Sequence, residues 1–476
     1  MEEKFKNKKI YDPIYGFVEI TDLEWEIIHS PFYQRLRWIK QLGFSCYVFP
    51  GAEHSRFGHS IGVMHNAHKI IESCGKGVEF YELQNHSSPS PEAQLHKNIR
   101  IAALLHDLGT FPFSHTIENS YIRHGVVKNK NKHTHADDHE NLGSFIIKNT
   151  SYEGGITDIL ERHNVEPKAI SDLMKGKSHS VFANQILHSE VDCDRMDYLL
   201  RDAHYTGLNY GTYDRDYLLH HFSTARVGKQ DILVIKHNAL QCVEDFLLAR
   251  FAWYSQVIRS SRGAKFDALA EELALILLQH NKIYQYEDLM EMVVKRPTDF
   301  YQFNDSYFLS SVKKALEDSS LHGQKIKDLA NSLLFELSPF SLKIEEFSHT
   351  ILNQDDEKGD KKARQRVHKV VDKIEDILKT KGGSKDWIIS DIPTKKIVLV
   401  KSYLNVLKDN TRENLLLNAD PVKILDERGE VRLLAEIEHS LMSRLQNVYN
   451  FTPNIFCSAS AQRLLLQEKV IENEDK

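Results

Sequence analysis

Apolar residues recur at intervals of three and four over most of the first 340 positions, the spacing of one face of an α-helix. One such series lies within residues 61–71 and another within 99–105. The second helix is expected to stop near Gly109, since a proline follows at Pro112. Ahead of both, apolar and polar positions alternate around a glycine in 12–20, which predicts a short β-hairpin. The pattern therefore predicts a mostly α-helical chain that begins with a hairpin.

The pattern of residue types changes near residue 340. A dense run of charges at 355–362 leads into an amphipathic helical series, which ends at the breaker Gly382-Gly383. Residues 395–403 are rich in β-branched side chains and predict a strand. We therefore predict a larger helical domain over residues 1–340 and a smaller α+β C-terminal lobe over residues 341–476.

Composition narrows the class of protein. Hydrophobic residues make up 41% and charged residues 27% of the chain, the balance of an ordinary globular protein. The N-terminus is charged from its second residue, and no apolar run is long enough to cross a bilayer. The five cysteines are scattered without a CxxC pair, which argues against a disulfide framework. We expect a cytoplasmic protein without a membrane partner, and the net charge of -6 disfavours indiscriminate binding of nucleic acid.

Histidines are concentrated in one segment, since 12 of the 25 lie between His54 and His139. Within and beyond it stand His59 in RFGHS, the pair His106-Asp107 in LLHDLG, and an aspartate in DCDRMDYLLRD at position 194. Taken singly, a histidine on an apolar helix face is more often a core group than a ligand. Together, imidazole nitrogen and carboxylate oxygen form a mixed ligand set suited to manganese, iron, zinc, nickel or magnesium. The separations along the chain indicate a metal site assembled by folding.

Four stretches of the chain resemble a known family. They are QRLRWIKQLG (34–43), FPGAEHSRFGHSIGV (49–63), LLHDLGTFPFSH (104–115) and DCDRMDYLLRDAHYTG (192–207). They resemble the HD-domain phosphohydrolases and, within them, the deoxynucleoside triphosphate (dNTP) triphosphohydrolases, a group with bacterial dGTPases and a vertebrate dNTPase that carries SAM and HD domains. The resemblance spans roughly the first 265 residues. It implies a helical HD-type catalytic domain with its metal-site motifs within residues 50–205, followed by a C-terminal lobe.

The resemblance also implies a reaction and its residues. The family hydrolyses a dNTP to a deoxynucleoside and intact inorganic triphosphate, with one divalent metal ion per active site. The implied metal ligands are His59, His106, Asp107 and Asp194, and the implied catalytic residues are His115 and His139. A near-neutral pKa suits histidine to proton transfer.

Seven further residues match positions of the family that bind substrate: Gln41, Leu42, Arg56, Arg195, Tyr198, Asp202 and Arg250. By resemblance the arginines hold phosphate oxygens, and Tyr198 and Asp202 flank the sugar. Spacing supports part of this set independently. Asp194 and Tyr198 are four residues apart, as are Tyr198 and Asp202, so all three project from one face of a helix. The resemblance further implies a homo-oligomer, a dimer or tetramer, and a nucleotide activator such as GTP or a dNTP.

The chain also departs from the family's pattern. Thr110 stands where relatives have a histidine, and a hydroxyl cannot carry a proton as imidazole does near pH 7. In the segment after Trp253, Ile258, Ser260 and Ser261 replace a tyrosine, a histidine and a lysine. His29 replaces an acidic residue of the activator pocket, which disfavours guanine as the activating base.

Three functions therefore remain open at the level of sequence. The first is a metal-dependent dNTP triphosphohydrolase. The second is a nuclease or phosphodiesterase that acts on nucleic acid or a modified nucleotide, for which Arg259, Arg262 and Lys265 could approach a backbone. The third is a degenerate HD protein that binds nucleotides and regulates without hydrolysing them, which Thr110 motivates.

Overall fold

The computed structural model describes residues 8–84, 89–128, 137–321, 323–337, 340–342, 350–354, 356–393, 396–401 and 411–471. Helices dominate this part of the chain. They are α1 Asp22–His29, α2 Pro31–Gln34, α3 Arg56–Ser73, α4 Phe80–Gln84, α5 Pro91–Leu105, α6 His115–Lys128, α7 His139–Asn149, α8 Ile156–Arg162, α9 Pro167–Met174, α10 Val181–His188, α11 Cys193–Thr206, α12 Arg215–His221, α13 Leu240–Trp253, α14 Ser261–Gln279, α15 Tyr286–Lys295, α16 Pro297–Tyr301, α17 Asp305–Glu317, α18 Gln324–Phe335, α19 Glu357–Lys381, α20 Arg412–Leu417 and α21 Ala459–Gln467. None of the described helices is both long and apolar enough to cross a bilayer.

Within the described residues, short strands form four small sheets. They are β1 Lys8–Asp12, β2 Gly16–Ile20, β3 Phe222–Val227, β4 Gln230–Lys236, β5 Phe340–Ser341, β6 Thr350–Asn353, β7 Ile388–Asp391, β8 Lys423–Leu425, β9 Val431–Leu433, β10 Val448–Phe451 and β11 Asn454–Cys457. Strands β1 and β2 pair antiparallel, with Asp12 opposite Gly16, so the predicted hairpin is confirmed. The remaining sheets have the orders β10-β6, β5-β11-β7 and β3-β4-β8-β9.

One large hydrophobic core fills the helical part of the molecule. Helix α3 lies at its centre and packs against α5 and α11, because its apolar positions are buried on more than one face. Helix α5 begins after Ser90, whose side chain accepts a hydrogen bond from the Ala93 N–H, and it ends at Leu105, four residues before Gly109, near which the sequence predicted its end. These three helices bring the histidine- and aspartate-bearing motifs to one place.

The C-terminal segments have a second core. Val367 and Ile374 of α19 pack with Phe451 of β10 and Leu465 of α21. The same segments are also tied to the helical part, since β4 and β8 pair in parallel with Ile235 opposite Ile424. The prediction of a mostly α fold with a smaller α+β lobe is confirmed. The boundary at residue 340 stays a prediction.

The prediction of a strand over 395–403 is wrong for residues 396–401, the part of this range that the structure describes. Only isolated bridges form there, from Val398 to Tyr449 and from Val400 to Gln446. The reason is tertiary: the carbonyls of Val398 and Leu399 accept hydrogen bonds from the buried guanidinium of Arg250 instead of from a neighbouring strand. Lys395 and residues 402–403 lie outside the described residues.

Candidate active site and metal centre

Three helices deliver the four predicted metal ligands. His59 lies near the start of α3, Asp194 lies in the first turn of α11, and His106-Asp107 follow the last residue of α5. Helix α11 begins where it does because Asp192 caps it, accepting a hydrogen bond from the Arg195 N–H at 2.8 Å. The ends of α3, α5 and α11 therefore direct these four side chains toward a common point.

The ligand atoms of the four residues converge. The Nε2 of His59 lies 3.0 Å from Oδ1 of Asp194, and the Nε2 of His106 lies 3.6 Å from the same oxygen. Oδ2 of Asp107 lies 3.6 Å from Nε2 of His59 and 3.5 Å from Nε2 of His106. The structure thus brings together all four residues that the family resemblance indicated.

The chemistry of these atoms fits a bound cation. The Nδ1–H of His59 donates to Asp197 at 2.7 Å, and the Nδ1–H of His106 donates to the Ala103 carbonyl at 2.7 Å. Both Nε2 atoms therefore present lone pairs, and among the described residues neither has a hydrogen-bond partner although both are buried. Lone pairs that face carboxylate oxygens repel each other unless a positive charge lies between them.

The pKa shifts in the site arise because charged neighbours outweigh the effect of burial. Burial lowers the pKa of His59, yet the carboxylates of Asp194 and Asp197 outweigh it and raise the pKa to about 9. Burial likewise raises the pKa of Asp107, but Arg56 and His106 hold it far below its usual range. The carboxylates stay ionised and the imidazoles attract a cation, whether a proton or a metal ion.

Asp197 supports the candidate metal centre through a hydrogen bond from His59, and the sequence analysis did not single it out. It is fully buried, and besides His59 it accepts hydrogen bonds from Arg201, from Nε at 2.8 Å and from Nη2 at 2.9 Å. Arg201 in turn pairs with Asp12 of the hairpin at 2.9 Å. The close approach of α11 to α3 depends on Gly62, because a Cβ there would lie 1.8 Å from Asp197 Oδ1. The available signal was spacing, since Asp197 lies three residues after Asp194.

Arg56 lies beside the candidate metal centre. Its Nη1 donates to Asp107 at 2.7 Å, and its Nε donates to the Ser114 hydroxyl at 2.9 Å. Thr110, which replaces the family's histidine, also faces Asp107 and donates to its Oδ1 at 3.3 Å. The Thr110 hydroxyl therefore helps to orient the carboxylate of the candidate ligand Asp107.

The loop after the His-Asp pair is held in an uncommon conformation. Phe113 and Ser114 have positive φ angles of 51° and 57°, in the left-handed region that non-glycine residues seldom adopt. Asp305 stabilises this loop by accepting the Phe113 N–H at 2.6 Å. Gly109 lets the loop meet α7, because a Cβ there would lie 2.2 Å from the carbonyl oxygen of His139. The two predicted catalytic histidines are positioned by these contacts.

His115 and His139 meet at a shared carboxylate, that of Glu118. The Nδ1–H of each imidazole donates to a different oxygen of Glu118, both at 2.6 Å, and the ring centroids lie 5.3 Å apart. Burial lowers the pKa of His139, but Glu118 raises it to about 9. Sequence reading missed Glu118, although its place one helical turn after His115 was a usable signal.

Tyr198 and Asp202 line up along α11 as predicted from their spacing. Tyr198 packs against Trp253, with ring centroids 4.6 Å apart. Asp202 is fully buried and accepts hydrogen bonds from His54 Nε2 at 2.7 Å and Trp253 Nε1 at 3.0 Å. Leu42 packs in a small cluster with Trp253 as well. His54 and Trp253 are therefore neighbours of this region that the sequence reading did not single out.

Of the other residues predicted to bind substrate, the two arginines form hydrogen bonds within the described part of the protein, and Gln41 does not do so through its side-chain oxygen. Arg195 donates to the carbonyl of Ser189 at 3.0 Å and pairs with Asp192. Arg250 donates to two backbone carbonyls of the C-terminal segment. Gln41 is buried, and its Oε1 has no hydrogen-bond partner among the described residues.

The positions that depart from the family have structural roles of their own. Ile258 packs beside Leu42, and Ser260 caps α14 by accepting the Gly263 N–H. Arg259, suggested as a contact for a nucleic-acid backbone, pairs with Asp391 at 2.6 Å. His29 is exposed and lies against Trp25, with ring centroids 4.2 Å apart.

Comparison with known proteins gives a family. Residues 56–202 match the family model described as HD domain, a range that includes all four candidate metal ligands. The chain contains an HD domain. The uncharacterized protein YwfO of Bacillus subtilis is 32% identical over 257 residues, which cover 53% of this chain and 52% of that protein. An uncharacterized protein of Methanocaldococcus jannaschii is 31% identical over 334 residues, or 70% of this chain and 61% of that protein. The matched region thus spans about half to three fifths of these relatives.

Relatives of the HD domain also include a characterised enzyme. The deoxynucleoside triphosphate triphosphohydrolase SAMHD1 of Homo sapiens is 31% identical over 228 residues, 42% of this chain and 34% of that protein. Among solved structures, a phosphohydrolase of Bacteroides thetaiotaomicron has a TM-score of 0.64 at 20% identity and covers 95% of this chain. A hypothetical protein of Aquifex aeolicus has a TM-score of 0.64 at 23% identity and covers 98% of this chain. These two likenesses concern the fold alone.

Proposed function

We propose that this protein hydrolyses deoxynucleoside triphosphates to a deoxynucleoside and inorganic triphosphate in a metal-dependent reaction. One observation carries the proposal: the Nε2 atoms of His59 and His106 are buried, lack partners among the described residues and face two carboxylates. The similarity to a deoxynucleoside triphosphate triphosphohydrolase over 42% of the chain supports the choice of substrate.

The ligands His59, His106, Asp107 and Asp194 would hold one divalent ion. Such an ion, when bound, supplies Lewis-acid polarisation of a phosphoryl oxygen and lowers the pKa of water for attack on phosphorus. The residues themselves provide two neutral nitrogens and two ionised oxygens, a set that manganese, iron, nickel or zinc accepts readily. Magnesium, which prefers oxygen ligands, is the least suitable ion of the predicted group.

Arg56 would position the phosphate chain. Its guanidinium is oriented by Asp107 and Ser114, which use Nη1 and Nε. No hydrogen bond from Nη2 of Arg56 is formed within the described part of the chain, so this group would donate to phosphate oxygens, and a planar fork that is already oriented loses little entropy on binding. Because Asp107 would also ligate the ion, Arg56 places the phosphate contact directly beside it.

His139 would act as the general acid. The carboxylate of Glu118 keeps the pKa of His139 near 9, so its imidazole is protonated at neutral pH. While Nδ1–H stays on Glu118, the Nε2–H can donate a proton to the departing 5′ oxygen of the sugar. This arrangement does not need a histidine at Thr110.

The direct test is product analysis. Purified protein is incubated with each dNTP and each NTP in the presence of Mn²⁺, with and without GTP, and products are separated by ion-exchange chromatography. We expect equimolar deoxynucleoside and triphosphate. Release of pyrophosphate or monophosphate, or cleavage of single-stranded DNA or RNA without dNTP turnover, would contradict the proposal.

Variants tie the reaction to the site. The double substitution His106→Ala with Asp107→Ala should abolish both turnover and Mn²⁺ binding measured by isothermal titration calorimetry. The matched control is Asp216→Ala with His220→Ala, an exposed aspartate and histidine on α12, which should leave both measurements unchanged. A double variant that still binds Mn²⁺ as wild type would refute the ligand assignment.

A further inference from the structure

Asp305 is a buried carboxylate that bonds to two distant segments of the chain. It lies in the first turn of α17, but that helix is capped by the side chain of Asn304, which accepts two N–H groups of the first turn. The two oxygens of Asp305 instead accept the Phe113 N–H at 2.6 Å and the Lys40 N–H at 2.9 Å. Only 7% of the residue is exposed. The carboxylate therefore supports the segments around the candidate site more than its own helix.

A continuous series of hydrogen bonds runs from Asp305 to the candidate metal centre. The carbonyl of Lys40, the residue whose N–H donates to Asp305, accepts from the Ser114 hydroxyl at 2.7 Å. The oxygen of that hydroxyl accepts from Nε of Arg56 at 2.9 Å. Nη1 of Arg56 then donates to Asp107 at 2.7 Å. The orientation of the Arg56 guanidinium thus depends on contacts that begin at Asp305.

The loop between the His-Asp pair and α6 is fixed at both ends to the segment before α17. At its start, the buried guanidinium of Arg35 donates to the Leu108 carbonyl at 2.8 Å and to the Phe303 carbonyl at 2.7 Å. At its end, the carboxylate accepts the N–H of Phe113, which is followed by Ser114; these two residues have φ angles of 51° and 57°. Such a conformation persists only where surrounding contacts hold it. Loss of the carboxylate is therefore expected to move Ser114.

We propose that Asp305 is a positioning residue for substrate: through Lys40 and Ser114 it holds the Arg56 guanidinium in the orientation that receives the phosphate chain. The inference rests on the proposed function, in which Arg56 donates to phosphate oxygens. A guanidinium that is oriented before the ligand arrives loses less entropy on binding, so the positioning contributes to phosphate affinity. Asp305 itself does not touch the substrate.

Asp305→Asn tests this role with little change in side-chain size. The amide has a single oxygen, so its NH₂ group must face the N–H of either Phe113 or Lys40. We expect the Kd for inorganic triphosphate to rise about tenfold, the value of one lost hydrogen bond to a charged group. The Kd for Mn²⁺ should stay at its wild-type value, because His59 and His106 keep the partners that orient them.

The measurement is calorimetric titration with triphosphate, with Mn²⁺ in excess over triphosphate in both cell and syringe. Burial raises the pKa of Asp305 to about 7, although Lys40 and Arg35 place positive charge near it. The titrations are therefore made at pH 8.5, where the carboxylate is ionised. An Asp305→Asn protein that binds triphosphate as the wild type does, or that loses Mn²⁺ as strongly as triphosphate, would overturn the inference.

A double-mutant cycle with Arg56→Ala separates positioning from a general structural effect. If Asp305 acts through Arg56, Asp305→Asn should change the triphosphate Kd by less than about twofold once Arg56→Ala is present. Equal losses in the two backgrounds would refute the inference. Ser114→Ala removes an intermediate link and should show the same dependence on Arg56, so it provides the test if Asp305→Asn does not fold. A Ser114→Ala protein with wild-type affinity for triphosphate would also refute it.

Asp328→Asn is the matched control. Asp328 also accepts N–H groups from two residues, Gln324 at 2.7 Å and Trp387 at 2.8 Å, but between α18 and the C-terminal segments. It should bind both triphosphate and Mn²⁺ as the wild type does, and a weaker affinity for triphosphate in this variant would contradict a specific role of Asp305. Triphosphate binding does not require turnover. A wild type that binds triphosphate but hydrolyses no dNTP would refute the proposed function alone, whereas a wild type that binds no triphosphate would overturn this inference.

Discussion

The carboxylate of Asp197 offers the sharpest test of how the metal centre is built. Replacing it by Asn preserves shape but not charge, and leaves one oxygen where there were two. In the wild type these oxygens accept from His59 Nδ1 at 2.7 Å and from two nitrogens of Arg201 at 2.8 and 2.9 Å. The amide NH₂ of Asp197→Asn must therefore face at least one N–H donor.

Two consequences have different magnitudes. Loss of the group that orients a ligating histidine lowers metal affinity by about 10- to 100-fold. Arg201 retains Asp12 at 2.9 Å, so its buried charge is not left alone. The expected loss of stability is therefore at the lower end of that for a broken buried pair, about 3 kcal/mol.

The assay is Mn²⁺ titration by calorimetry together with thermal melting of the metal-free protein. Asp216→Asn is the control, because Asp216 is 90% exposed and its ion pair with Arg215 lies at the surface. The variant should bind Mn²⁺ at least tenfold more weakly and melt at a lower temperature than the control. If Asp197→Asn bound Mn²⁺ within twofold of wild type, the view that Asp197 orients His59 would have to be abandoned.

Three further predictions concern the histidine pair and the metal. Gly109→Ala should reduce kcat about a hundredfold with the metal still bound, since its Cβ would lie 2.3 Å from the backbone nitrogen of Gly143 and displace α7; wild-type kcat would contradict this. For Glu118→Gln, the folded pKa of His139 lies above its unfolded value of 6.5, so the stabilising pair is complete below pH 6.5 and lost as pH rises through about 9. The variant should thus melt well below wild type at pH 6, with the gap narrowing by pH 9.5, whereas a constant gap would exclude the pairing. Chelation should lower the melting temperature, and Mn²⁺ at 100 times its Kd should restore about 2.7 kcal/mol; a melting temperature that ignores both additions would argue against a resident ion.

The sequence predicted the candidate metal ligands, but it did not single out the residues that hydrogen-bond to the predicted site histidines. His59, His106, Asp107 and Asp194 stand in motifs whose residue types and order already indicate a metal site, and the structure brings them together. Asp197 and Glu118 were within reach of the same reasoning, because each lies one helical turn from a singled-out residue on the same helix.

The contacts that only tertiary structure decides join distant parts of the chain. Nothing local shows that the indole of Trp253 would meet Asp202, 51 positions away. Likewise, the carbonyls of Val398 and Leu399 accept hydrogen bonds from Arg250 and not from a neighbouring strand. Arg250 lies about 150 residues earlier in the chain. Helical periodicity is a property of short windows, so the sequence alone determined the helical class, and the order of the motifs, through the family resemblance, indicated the candidate ligands. Which buried polar groups remain without a hydrogen-bond partner depends on packing between segments far apart in the chain, so only the folded molecule decided the geometry of the candidate site.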